Sequence, residues 1–180
     1  MKIKLTQVRL AFPALFEAKT VNGEGKPAFS AVFLIDPKDP QVKAINQAID
    51  AVAKDKWGAK ADAILKQMRA ADKVCLHDGD LKEQYDGFAG MLFISSRSPS
   101  RPLVLDTDKT PLGESDGKPY AGCYVNASIE LWPQDNNYGK RVNASLRGVQ
   151  FLRDGDAFAG SAPASEDEFD DLSVGADALT

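Results

Sequence analysis

Alternation of apolar and polar residues along much of the chain predicts β-strands. The clearest case is residues 122–132, GCYVNASIELW, where Cys123, Val125, Ala127, Ile129 and Leu131 share one face. The segment KRVNASLRG at 140–148 alternates in the same way, with a bulge expected at its glycine. Residues 3–10 alternate in part, and AFSAVFLI at 28–35 is apolar on both faces, as in a buried central strand. Further strands are predicted at 87–98 and 101–106.

Helical periodicity interrupts this pattern between about residues 40 and 71. The motif DPKDP ends a strand, and Asp39 is a suitable N-cap for a helix whose first residue is Pro40. Apolar residues then recur at helical spacing, namely Val42, Ile45, Ile49 and Val52. The segment KADAILKQMRAA, residues 60–71, predicts a second short helix. Turns are expected at NGEGKP, at 107–119 and at PQDNNYG.

Short strands with one helical insert predict a mainly β (α+β) fold, an OB-fold-like five-stranded barrel with the insert at about 40–71. Past Gly155 the composition shifts to Ala, Gly, Ser, Pro and acidic residues, which favours disorder. We therefore expect an OB-fold-like domain at 1–159 and a flexible acidic tail at 160–180.

Charge is divided unevenly between these two parts. The whole chain has 26 acidic and 22 basic residues, a net charge of −4, which taken alone argues against nucleic acid. Six of the acidic residues and no basic one lie in 161–180, so residues 1–160 carry a small positive charge. Such asymmetry is typical of an interaction tail.

Enzyme chemistry has little support in the sequence. The single histidine, His77, is followed by Asp78 and Asp80 and could ligate a metal or act as acid and base, but a polar turn is the simpler interpretation. No phosphate-binding loop or nucleophile motif occurs, and Cys75 and Cys123 lack metal-site spacing. We expect a non-enzymatic protein with no cofactor and no metal. The opening MKIKLTQVRL has no apolar core of a signal peptide, so we expect a cytosolic protein with reduced thiols and no membrane contact.

Recognition of single-stranded nucleic acid is the better-supported chemistry, because it needs cations for phosphates and flat side chains for bases. Residues 138–153 contain four basic residues and no acidic one. Phe29, Phe33, Phe93 and Phe151 are expected in the core, whereas Tyr124 and Trp132 lie on a polar face and either pack or stack. The candidate DNA-binding residues are Lys26, Arg97, Arg101, Tyr120, Tyr124, Trp132, Tyr138, Lys140, Arg141 and Arg147.

The chain resembles a family of bacteriophage single-stranded DNA-binding proteins. The resemblance rests on LFEAKTVNGEGKPAFSAVFLI, WGAKADAIL, LHDGD, YAGCYVNASIELWP and YGKRVNASLRGVQFLRDGDAFAG, followed by an acidic end. It implies an OB-fold with a helical insert, sequence-independent binding of single-stranded DNA, and a role in phage replication or recombination. We expect the protein to act in the cytoplasm of the infected bacterial host, as a monomer or weak oligomer.

The acidic tail suggests two further roles. It is expected to compete with DNA for the barrel and to recruit phage or host replication and recombination proteins. The residues concerned are Glu166, Asp167, Glu168, Phe169, Asp170 and Asp171, although Phe169 is not at the end of the chain. The alternative is an acidic DNA mimic or protein-interaction module that does not bind DNA.

Overall fold

The computed structural model describes residues 1–21 and 24–158, so the predicted acidic tail lies outside the described residues. The seven strands are β1 (Lys2–Val21), β2 (Glu24–Ile35), β3 (Leu76–Asp78), β4 (Leu92–Ser98), β5 (Leu103–Leu105), β6 (Tyr124–Asn136) and β7 (Gly139–Arg153). The two α-helices are α1 (Gln41–Trp57) and α2 (Ala61–Ala70). None of the described helices is long and apolar enough to span a membrane.

Five of the strands close into a barrel. The sheet order is β3-β4-β2-β1-β6-β7-β5, and an additional parallel pairing of β4 with β7, at Arg97 and Ser145, joins the two sides. The barrel therefore consists of β4, β2, β1, β6 and β7, with β3 and β5 attached outside it. This arrangement confirms the predicted OB-fold-like five-stranded barrel.

The strands β6 and β7 follow the alternation read from the sequence. The apolar face of β6 is buried, and so are Val142, Ala144 and Leu146 of β7. The register shifts by one residue beside Gly148, which confirms the predicted bulge. The turn predicted over 133–139 is shorter than expected, because pairing continues to Asn136 opposite Gly139.

The helical insert lies between the second and third strands of the barrel. Helix α1 begins at Gln41 rather than at the predicted Pro40, and the Asp39 carboxylate accepts a hydrogen bond from the Gln41 amide at 3.0 Å. Ile45, Ile49 and Val52 are buried in the main core with residues of the barrel strands. The insert therefore packs on the barrel through the apolar face that the sequence predicts.

Residues 76–91 differ most from the sequence interpretation. Leu76–Asp78 forms a short strand where only a polar turn was expected, and β4 begins at Leu92 rather than at Gly87. The apolar residues of 87–91 pack in a separate place: Phe88 belongs to a small second core, and Met91 packs against it. Their hydrophobicity therefore reflects a second cluster and not a continuous strand.

The last described residues are held firmly against the barrel. We call residues 154–158 the strap. The Tyr120 hydroxyl donates to Asp154 at 2.8 Å, Arg9 Nη2 donates to the Asp156 carbonyl at 2.8 Å, and the Phe158 amide donates to the Ala121 carbonyl at 3.1 Å. The chain after residue 158 therefore starts from a defined point on the barrel.

Candidate nucleic-acid interface

A groove of about 710 Å³ is lined by residues of β2, β4 and β7. The β1–β2 and β6–β7 hairpins border it, which is the position where OB-folds bind oligonucleotides. Its lining residues are Lys19, Lys26, Pro27, Ala28, Ser30, Val32, Lys73, Val74, Cys75, His77, Ser95, Ser96, Arg97, Ser98, Pro99, Trp132, Gln134, Arg141, Val142, Asn143, Ala144 and Ser145.

The floor of the groove is made largely of small polar side chains. Ser30 of β2, Ser95 of β4 and Ser145 of β7 line it. Asn143 of β7 donates to Gln134 Oε1 of β6 at 2.8 Å, which fixes both amides. Short side chains leave room for a polymer backbone and still offer hydrogen-bond donors and acceptors.

Positive charge dominates the groove. Five cationic residues line it, namely Lys19, Lys26, Lys73, Arg97 and Arg141, and no acidic residue does so within the described chain. None of these cations forms an ion pair with a carboxylate of residues 1–21 or 24–158. Unpaired cations that face one groove are available to phosphate groups.

Two flat side chains also face the groove. Trp132 is 41% exposed, so a large part of its side chain is accessible to a ligand. The His77 ring stacks on Phe93 with centroids 4.9 Å apart, and its Nδ1 lies within hydrogen-bond distance of Asp72 Oδ1. Trp132 therefore offers a stacking surface for a base, whereas the His77 ring is held by Phe93 and Asp72. Among the described residues, no group of three His, Cys, Asp or Glu could hold a metal ion.

Four of the predicted DNA-binding residues line the groove: Lys26, Arg97, Trp132 and Arg141. Three other predicted cations have different surroundings. Lys140 lies 3.7 Å from Asp135, Arg147 lies 3.6 Å from Glu130, and the Arg101 guanidinium lies over the Phe16 ring at 5.7 Å. These three cations do not line the groove.

The three predicted tyrosines also lie outside it. Tyr138 is 86% exposed at the turn of the β6–β7 hairpin. Tyr120 is bonded to the strap, and Tyr124 lies under the Arg153 guanidinium at 3.9 Å and also contacts Arg9. Tyr120 and Tyr124 thus hold the strap region together, while Tyr138 projects beyond the groove.

Sequence reasoning missed two of the cations. Lys19 lies on β1, just before the NGEG turn, and the turn itself was the available signal, because OB-folds use this hairpin for binding. Lys73 follows the second helix, where its carbonyl accepts from the Val142 amide at 3.2 Å. That pairing joins distant parts of the chain, so no local pattern indicates it.

The β6–β7 hairpin is anchored to helix α1 by a carboxylate. The Trp57 indole Nε1 donates to Asp135 Oδ2 at 2.9 Å. This hydrogen bond, with the nearby charges of Lys140 and Lys56, lowers the pKa of Asp135. The carboxylate therefore stays charged over the physiological range and fixes the hairpin beside the groove.

The two thiols should be inert in the folded protein. Burial raises the pKa of Cys75, in the groove wall, to about 12, and that of Cys123 to about 11. Only a thiolate reacts readily, so neither thiol should react with a disulfide reagent at pH 8, and both should react in urea. A colorimetric thiol assay measures this, and rapid labelling of the native chain would contradict it.

The raised pKa values also make stability depend on pH. Below the unfolded thiol pKa of about 8.5, the two thiols do not lower the free energy of unfolding. As the pH rises from there towards the folded pKa values, the free energy of unfolding falls.

A closed OB-fold-like barrel with a cationic groove and an exposed stacking side chain defines the class of single-stranded nucleic-acid-binding modules. The family model described as "Enterobacter phage Enc34, ssDNA-binding protein" matches residues 1–179. The chain belongs to this family. A relative from Acyrthosiphon pisum secondary endosymbiont phage 1, named "Putative protein p50", is 52% identical over 178 residues, covering 97% of this chain and 95% of the relative.

Solved structures are similar to this fold as well. The single-stranded DNA-binding protein from bacteriophage Enc34 in complex with ssDNA is 28% identical, with a TM-score of 0.75 over 88% of this chain and 89% of that one. The single-stranded DNA-binding protein gp2.5 of bacteriophage T7 is 16% identical, with a TM-score of 0.56 over 94% of this chain and 97% of that one. At that identity, the T7 likeness shows the fold alone.

Proposed function

We propose that this chain is a phage protein that binds single-stranded DNA in the groove without sequence preference. The observation that carries the proposal is the set of five cations that line one groove without a carboxylate partner in the described chain. Family membership and the Enc34 complex with ssDNA support it.

The geometry suggests how each part contributes. The lysines and arginines neutralise phosphates and release counterions, which makes the affinity fall as salt rises. Trp132 stacks on a base, a contact of about 1–3 kcal/mol that any base can make. The serines and Asn143 of the floor supply uncharged hydrogen bonds to the DNA backbone.

Fluorescence anisotropy with labelled oligo-dT tests this function. We expect tight binding at low salt and a linear fall of log affinity with log salt. A mixed-sequence oligonucleotide should bind with similar affinity, apart from modest preferences due to stacking. Absence of binding at low salt, or affinity that is independent of salt, would falsify the proposal and favour a DNA mimic or protein-interaction module.

The division into a DNA-binding domain at 1–159 and an acidic tail at 160–180 extends the proposal. The six carboxylates of 161–180 resemble phosphates in charge, and the strap attaches them to the barrel at a fixed point. A short tether gives them an effective concentration in the millimolar range. Single-stranded DNA also stacks and so displaces the tail more readily than a duplex does.

Deleting residues 162–180 is therefore expected to strengthen DNA binding, most of all to duplex DNA, by about tenfold at low salt. Anisotropy titrations of both proteins with single- and double-stranded DNA measure the change. A matched control keeps the tail length but replaces its six acidic residues with Asn or Gln, and it should behave like the deletion. Unchanged duplex affinity in both variants would contradict competition by the tail.

Family membership supports a proposal for the biological role. The protein protects single strands during phage replication or recombination in the cytoplasm of the infected host. Once DNA displaces the tail, its acidic residues and Phe169 are free to recruit replication or recombination proteins. The protein is proposed to bind and not to catalyse, and binding would be measured without a cofactor or metal.

A further inference from the structure

Two exposed aromatic surfaces lie at opposite ends of the β6–β7 hairpin. The first is the hairpin tip, where Tyr138 is 86% exposed. The second, which we call the aromatic patch, consists of the exposed Phe12 and Tyr85 with the buried rings of Phe88 and Phe158 beneath them. It lies beside the start of β6. Arg9, three residues before Phe12 on β1, pairs there with Tyr124, and the Phe158 amide donates to the Ala121 carbonyl just before β6. Pairing with β7 along its whole length keeps β6 extended, with at most about 45 Å between its ends at about 3.3 Å per residue, so the tip and the patch do not meet within one molecule.

The aromatic patch forms a small cavity of about 150 Å³ that is open to solvent. Phe12 is 51% exposed and Tyr85 is 42% exposed, and their rings meet edge to face with centroids 4.9 Å apart. Phe12 has a φ of +46°, in the left-handed region that a phenylalanine rarely adopts. Backbone strain that displays an apolar ring to solvent points to an interaction role.

Charge around the aromatic patch identifies what it can accept. Residues 78–86, DGDLKEQYD, contain four acidic residues and one lysine, and Tyr85 lies within this segment. Arg9 also contacts the patch, with its guanidinium 4.4 Å from the Phe158 ring, but its Nε and Nη2 already donate to the Gly122 and Asp156 carbonyls. A DNA backbone is therefore disfavoured at the patch. The chain's own acidic tail is disfavoured for the same reason, even though it begins next to Phe158. The suitable occupant is an aromatic side chain with cations beside it.

The hairpin tip has this chemistry. Tyr138 is followed by Lys140 and Arg141, and a Cβ on Gly139 would lie 3.7 Å from Lys73 Nζ. Lys140 lies 3.7 Å from Asp135, and Lys56 is also near that carboxylate, so the cations named here outnumber this one carboxylate. Its charge is complementary to that of the acidic segment at the aromatic patch.

The groove begins near the tip, and a row of packed rings links it to the aromatic patch. Trp132 and Arg141, near the tip, line one part of the groove. His77 lines another part and stacks on Phe93, whose ring centroid is 5.2 Å from that of Phe88 in the aromatic patch. Two copies bound side by side on one strand therefore have a tip and a patch available at their junction.

We propose that the hairpin tip of one copy inserts Tyr138 into the aromatic patch of the next copy on the same DNA strand. The contact joins different surfaces of the two copies, so it repeats along the strand and does not close. It makes binding to long single strands cooperative. This inference rests on the proposed DNA binding, and its test separates the two.

The test compares a short oligo-dT of about eight nucleotides, within the roughly 4–16 that one OB-fold occupies, with one several times longer. The variants are Phe12→Asn, which suits a left-handed backbone, and Tyr138→Ala; Leu103→Ala, at an exposed apolar residue outside both surfaces, is the control. Short-oligonucleotide affinity should stay within about twofold for all, because one copy suffices there. On the long strand, both surface variants should lose cooperativity and bind about tenfold more weakly, and the control should not.

Cross-linking identifies the occupant directly. Gln84→Cys in one preparation and Asn137→Cys, which keeps the neighbouring Tyr138, in another should form a mixed disulfide dimer on the long strand, and little without DNA. Failure to bind the short oligonucleotide would overturn the proposed function. Binding to it with unaltered cooperativity in Phe12→Asn and Tyr138→Ala would overturn the contact alone. An internal cross-link between Gln84→Cys and Phe169→Cys in one chain, without the dimer, would identify the chain's own tail as the occupant and also overturn it.

Discussion

Replacing Arg97 and Arg141 together with alanine is expected to weaken single-stranded DNA binding about 100-fold at low salt. Both guanidinium groups line the groove, on the neighbouring strands β4 and β7, and neither has a carboxylate partner in the described residues. Each lost charge-assisted contact contributes about 1.5 kcal/mol, and about 1.4 kcal/mol corresponds to tenfold in affinity. The salt slope should also fall by about 0.7 for each lost phosphate contact.

A matched double variant tests whether position or total charge is responsible. Lys140→Ala with Arg147→Ala removes the same charge, but these cations pair with Asp135 and Glu130 outside the groove. We expect its affinity to fall by less than about threefold, since exposed paired cations contribute little. Anisotropy titrations over a range of salt measure both effects. Equal losses in the two double variants would show that binding responds to overall charge and not to this groove.

The different surroundings of Arg141 and Arg147 could not be predicted from the sequence. Arg141 and Arg147 both lie on the outward face of β7, so alternation treats them alike. What separates them is the neighbour on β6. The pairing of Glu130 with Ser145 brings a carboxylate near Arg147 but not near Arg141. Register is a property of two strands, and one strand's pattern does not contain it.

The barrel itself could be predicted, because burial of one face imposes a period of two on β6 and β7. The helical insert could also be predicted, because Ile45, Ile49 and Val52 recur at helical spacing. The short strand Leu76–Asp78 was not, since three residues carry no period and its pairing partner is β4. Likewise, the role of Phe88 depends on Leu34 and Phe158, which are distant in the sequence.

Gly122→Ala is expected to destabilise the fold by at least about 3 kcal/mol, or to release the strap. Gly122 has a φ of +104°, and a Cβ there would lie 2.1 Å from the Asp156 carbonyl oxygen. The glycine cannot shift easily, because its amide donates to the Leu10 carbonyl at 2.8 Å and its carbonyl accepts from Arg9 Nε at 2.9 Å. One of these restraints, or the strap, must give way.

Gly117→Ala is the matched control, because Gly117 also has a positive φ, +70°, but a Cβ there would meet nothing within 4 Å. Its free energy of unfolding should fall only by the cost of holding alanine at a positive φ, about 1–2 kcal/mol. Urea unfolding measures both variants, and chymotrypsin cleavage after Phe158 reports whether the strap has detached. The same stability and cleavage rate in both variants would contradict the clash.

The two outcomes for Gly122→Ala have different consequences for DNA binding. Global destabilisation leaves the folded fraction with wild-type affinity, because neither Gly122 nor Asp156 lines the groove. Release of the strap lengthens the tether of the acidic tail and lowers its effective concentration at the groove. Duplex DNA should then bind more tightly than to the wild-type protein, although less tightly than to the tail deletion. An intermediate duplex affinity together with rapid cleavage after Phe158 would therefore show that the strap sets how strongly the tail competes.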